Sequence, residues 1–132
     1  MSNRLVHFEI HAADPERAMK FYREVFGWDF PIWMKDPEYW GVMTAAEGST
    51  EPGINGGLMR RMGGPPSDGA AVNAYVCTMQ VDDYDATHDR IMRNGGTVAL
   101  PKHAIMGMAW QGYYKDTEGN IFGVHQPDEN AR

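Results

Sequence analysis

Polar and apolar positions alternate sharply over residues 5–12, with Val6, Phe8, Ile10 and Ala12 on one side and His7, Glu9 and His11 on the other. A period of two predicts a strand with one face in a core and three ionisable side chains on the opposite face. Asp14 then suits an N-cap, Pro15 the first helical position and Glu16 the first turn, where the helix dipole favours a carboxylate. Ala18, Phe21, Tyr22 and Val25 follow at helical spacing, and Gly27 is placed to end the helix. Strands are expected at 28–34 and 38–45, split by the turn Lys35-Asp36-Pro37, with a weaker one through 57–61.

The same plan then repeats. HFEIHAADPERAMKFYREVFGWDF (7–30) and VCTMQVDDYDATHDRIMRNGGTVAL (76–100) share one layout at an offset of 69 residues, which puts Asp14 on Asp83, Glu16 on Asp85 and Gly27 on Gly96. An internal duplication constrains a fold more than any short motif. In the second copy Tyr75, Cys77, Met79 and Val81 are expected to face a helix capped by Asp83 and ending at Asn94-Gly95-Gly96. Ala74, Val76, Thr78 and Gln80 then share the other face. Strands follow near 97–105, 108–115 and 120–126, the last two joined by a turn through 116–120. Residues 63–70, GGPPSDGA, have linker chemistry and separate a first module (1–62) from a second (71–132). The expected class is α+β, with two βαβββ modules forming a curved mixed sheet around a cleft.

Size and charge narrow the partners. Each half of a 132-residue chain is too small to bury much core alone, so the modules should pack on each other or on a partner chain. A net charge of -6 argues against nucleic acid, and no apolar run has membrane-spanning length. The opening MSNRLVHFEI lacks the apolar core of a signal peptide, so a cytoplasmic location is expected. Cys77, the single cysteine, rules out an intrachain disulfide; on the helix side of its strand it should be buried and inert.

Two segments, HFEIHAADPERAMKFYREVFGW and YYKDTEGNIFGVHQPD, make the chain resemble the vicinal oxygen chelate superfamily of glyoxalase I, bleomycin-resistance proteins and extradiol dioxygenases. The resemblance covers essentially the whole chain and implies the paired βαβββ fold. For metal-dependent members it implies a divalent cation held by four strands. Carried onto this sequence, those positions are His7, a fourth-strand carboxylate that the run INGGLMRRM (54–62) does not contain, Val76 and Gly123. One competent ligand of four does not hold a metal by that scheme, and Arg60 or Arg61 pointing inward would oppose a cation. No cofactor is therefore expected. The alternative donor set is His7, Glu9 and His125, with His11 beside them, if the first and last strands line one cleft as the resemblance implies.

Glu9 and His7 are the candidate acid–base residues, since a carboxylate in an apolar cleft and an imidazole both titrate near neutrality. Against a solvated sheet face, which is the bland alternative, His7, Glu9, His11, Arg60, Val76 and His125 are candidate ligand contacts. Trp40 and Trp110, which the strand plan places at matching positions, would add a flat wall if they face the cleft. Met106 and Met108 fall in PKHAIMGMAW (101–110), a lid or a hairpin about Gly107, while His88 is expected on a helix surface and His103 has no supporting pattern. Two functions are open. One is a metal-independent protein that binds a small, partly apolar or aromatic molecule; the other is a glyoxalase-type lyase, isomerase or dioxygenase with a non-standard ligand set. A homodimer is expected, from the resemblance and the Trp-rich sheets.

Overall fold

The computed structural model describes residues 3–67, 70, 75–118 and 120–132. It divides into two compact units, one of His7–Tyr75 and one of residues 3–6 with Val76–Arg132.

In the first unit the order is β1 (Arg4–Ala12), α1 (Pro15–Phe26), β2 (Ile32–Lys35), β3 (Glu38–Val42) and β4 (Gly56–Arg60). Asp14 caps α1 by accepting from the Arg17 N–H, Pro15 opens it, and Gly27 closes it in the left-handed region at φ 74°. The strands run β2-β3-β4-β1, antiparallel except for β1 beside β4. Phe8 and Ile10 of β1, Trp40 and Val42 of β3 and Leu58 of β4 pack with Met19 of α1 into one core. Leu58 has no exposed surface, and a Leu-to-Ala change at such a site costs about 2–5 kcal/mol.

The second unit is built from β5 (Val76–Gln80), α2 (Tyr84–Arg93), β6 (Thr97–Ile105), β7 (Ala109–Lys115) and β8 (Ile121–Pro127). Asp83 caps α2 through the Ala86 N–H. Its strands run β5-β8-β7-β6, with β5 parallel to β8 and the rest antiparallel. Val81, Tyr84, Tyr114 and Val124 form the core between α2 and the sheet. The start of β1 clusters with this unit, where the Asn3 N–H donates to the Gln80 carbonyl. Both units are α+β with the expected βαβββ order.

Several details differ from the sequence pattern. The buried side of α1 runs through Pro15 and Met19, with Ala18 and Tyr22 partly covered, whereas Phe21 and Val25 are exposed. The stripe that meets the core is therefore Pro15, Ala18, Met19 and Tyr22, with Met19 in the same cluster as Leu58. Tyr75 packs on α1, stacking on Phe8 and donating a hydrogen bond to Tyr22, and does not join the α2 side. Cys77 is half-buried. His88 is also half-buried, with Nδ1 2.9 Å from the Tyr114 hydroxyl. Residues 105–109 form a hairpin turn about Gly107, φ 74°, with Met106 and Met108 exposed. Ala74, residues 68–69 of the proposed linker and Gly119 lie outside the described residues.

Candidate functional site

The face of β1 opposite the core carries His7, Glu9 and His11, as the alternation predicts. Glu9 is only 4 % exposed. A buried carboxylate requires donors, because isolated desolvated charge is costly. It has them: His11 Nε2 lies 2.8 Å from Oε1, and the Tyr39 hydroxyl donates to Oε2 at 2.9 Å. The same hydroxyl is 3.0 Å from His7 Nε2. Burial lowers the pKa of His7 below its ordinary value, with Glu9 opposing that shift in part.

Tyr39 reaches this position because Gly57 leaves room for its ring. Glu9 pairs in register with Gly57, and a Cβ at Gly57 would collide with the Tyr39 phenol. Trp33 lies over Gly41, where a Cβ would strike its indole, and stacks on Tyr39 with centroids 6.3 Å apart. Trp33 is half-exposed, so an aromatic wall stands beside the polar array. Sequence reasoning missed both residues. The glycines facing them, Gly41 and Gly57, were the available signal.

Trp40 lies on the core side of β3, not on Glu9's face. Arg60 shares the Leu58 side of β4 by alternation, donates to the Ala13 carbonyl at 3.1 Å and reaches Glu38 at 3.7 Å. Arg61 donates to the His11 carbonyl at 2.9 Å.

In the second unit the matching face carries Val76 and Thr78 of β5, Gln111 of β7 and His125 of β8. His125 Nδ1 donates to Gln111 Oε1 at 2.7 Å, and Thr78 pairs with Gly123, where a Cβ would press on Thr78 Oγ1 and Gln111 Nε2. Trp110 packs with the α2-side core, and its indole N–H donates to Asp128 at 3.0 Å. Strand register also corrects its pairing with Trp40. Trp40 pairs with Leu58 and Gly112 with Val124, so the counterpart of Trp40 is Gly112, whose missing side chain admits the Tyr84 phenol.

A model of the bleomycin resistance protein-like N-terminal family matches residues 4–45, the segment from β1 to just past β3. A glyoxylase-like domain-containing protein of Didymella fabae is 32 % identical over 123 residues, spanning 88 % of each chain. The chain belongs to the glyoxalase-like family. The structure agrees with a glyoxalase/bleomycin resistance protein/dioxygenase superfamily member from Vibrio splendidus at a TM-score of 0.62, 17 % identity, covering 95 % of this chain and 99 % of that one. Methylmalonyl-CoA epimerase from Mycobacterium tuberculosis follows at a TM-score of 0.59 and 18 % identity, with 94 % and 87 % covered. Both likenesses are of fold.

The divalent metal known in glyoxalase-like proteins does not fit the family positions in this chain. Of them, His7 alone has a ligating side chain, and its Nε2 is engaged with Tyr39. Gly57 on β4 has no space for a carboxylate under the Tyr39 phenol, and Val76 and Gly123 offer no donor atoms. Of the alternative set, His7 and Glu9 belong to the first unit and His125 to the second. Among the described residues, no three His, Cys, Asp or Glu side chains form a group able to hold a metal ion. Nor is any described helix long and apolar enough to cross a membrane.

Proposed function

We propose that this glyoxalase-like protein binds a small, partly aromatic molecule on the polar face of its first unit, without a metal. One observation carries this reading: the buried Glu9 carboxylate has donors on both oxygens, and one of these donors, Tyr39, stacks on a half-exposed Trp33. Fixed polar groups beside a flat apolar wall are the usual composition of a small-molecule site. Glu9, His7 and His11 orient polar groups of the ligand, and Trp33 with Tyr39 covers its planar part.

The test is a titration of catechol and of methylglyoxal–thiol hemithioacetals, followed by tryptophan fluorescence and calorimetry. Saturable binding that weakens about tenfold or more in Glu9→Gln supports the proposal, since a charged hydrogen bond contributes about 1.5–3 kcal/mol. Elemental analysis checks the metal. A stoichiometric divalent ion, lost in His7→Ala, overturns the metal-free part.

A second reading is proton transfer on the bound molecule, favoured by Glu9 lying between two histidines as a ready base for a proton next to a carbonyl. Turnover abolished in Glu9→Gln with affinity retained would select it. We further propose a cytoplasmic homodimer; sedimentation as a species near 15 kDa would contradict the dimer.

A further inference from the structure

We infer that Tyr39 is a positioning residue that fixes the tautomer of His7, so that Nε2 carries the proton and Nδ1 presents a lone pair to a hydroxyl- or N–H-bearing ligand. This deepens the binding reading above and rests on it for the ligand, though not for the tautomer.

The tautomer follows from a count of protons. A tyrosine hydroxyl has one proton to donate and two lone pairs with which to accept. In this site that proton goes to Glu9 Oε2, at 2.9 Å. His7 Nε2 lies 3.0 Å from the same oxygen, so it must be the donor there. A neutral imidazole holds one N–H, and with it on Nε2 the other nitrogen is an acceptor. Burial keeps His7 in the neutral form that this count requires. The chain thus runs in one direction, from imidazole to phenol to carboxylate. It terminates on an acceptor whose other oxygen is held by His11. A ligand that offers a proton to Nδ1 would meet a ring already oriented and polarised by Glu9 through Tyr39.

The phenol is held independently of these bonds. It occupies the space over Gly57 and stacks against Trp33, so Tyr39→Phe should keep the ring in place and remove only the hydroxyl. The second unit differs in a way that makes an internal control. His125 donates from Nδ1 to Gln111 Oε1, an atom that can only accept, so that nitrogen carries a proton.

The experiment is long-range proton–nitrogen correlation on the full-length, ligand-free protein with labelled histidine, above neutral pH, assigned by His7→Gln and His125→Gln. The expected result is His7 as the Nε2–H form and His125 as the Nδ1–H form. In Tyr39→Phe the two His7 nitrogens should move toward the averaged shifts of a tautomer mixture while His125 stays put. His7 as the Nδ1–H form in the wild type overturns the inference, whatever the variant does. An unchanged His7 pattern in a folded Tyr39→Phe protein overturns the role of Tyr39. Both readouts are free of ligand, so failure of the binding proposal leaves them standing.

Discussion

The two units fold by the same local rules and differ in what they place on the sheet face away from the helix. Each begins with a strand, an Asp cap and a helix, and each sets a glycine opposite the middle of that strand, Gly57 beside Glu9 and Gly123 beside Thr78. In the first unit the space over the glycine admits a phenol that bridges a histidine and a buried carboxylate. In the second it is filled by a threonine and a glutamine, with His125 bonded to the amide. The first face centres on a buried carboxylate; its counterpart has a threonine at that pleat, with His125 and Tyr113 on the same face. A duplicated scaffold therefore fixes position, while the side chain at one pleat decides the chemistry.

Removing the centre of the charged face should have the largest effect. Glu9→Leu removes the buried carboxylate that accepts from His11 and Tyr39, and we expect a loss of about 3 kcal/mol or more in a denaturant melt. Thr78→Val, at the equivalent pleat, should cost at most about a third of that. Equal losses would show that Glu9 is not the special member of the pair.

The glycines separate next. Gly57→Ala drives a Cβ into the Tyr39 ring and should cost about 1–3 kcal/mol, with the aromatic signals of Tyr39 shifted. Gly123→Ala meets the movable ends of Thr78 and Gln111 and should cost less. The helix caps, by contrast, should not distinguish the units. Asp14→Ala and Asp83→Ala each remove one bond to a helix N–H and should each cost about 1 kcal/mol.

The smallest expected effect is a pH dependence. Burial holds the folded-state pKa of His7 below its ordinary value of about 6.5, so the unfolded chain binds its proton first as pH falls. Its contribution is present above that value and is lost progressively from about 6.5 down to the lower folded value. A stability–pH profile of His7→Gln should be flatter in that window. An identical slope would contradict the burial of a neutral His7.

Alternation and duplication made the fold and the Glu9 face legible in the sequence, because a period of two depends on neighbours along one strand. Tyr39 and Trp33 were signalled only by the glycines that face them, Gly57 and Gly41, because their place depends on register between strands. β2 slips against β3 between Ile32 and Met34, and no local pattern signals that slip. The same limit explains Trp110: counting along strands matched it to Trp40, whereas pairing matches Trp40 to Gly112. Arg60 and Arg61 are one pleat apart at a strand end, where alternation weakens and hydrogen bonds to Ala13 and His11 settle their directions.

The most direct test of the central claim is calorimetric titration of catechol and a methylglyoxal–thiol hemithioacetal into wild-type and Glu9→Gln protein, each freed of metal by chelation. The account predicts saturable binding of at least one of them to the metal-free wild type, weakened about tenfold or more in the variant. No binding of either molecule, or equal affinity in a folded Glu9→Gln protein, would contradict it.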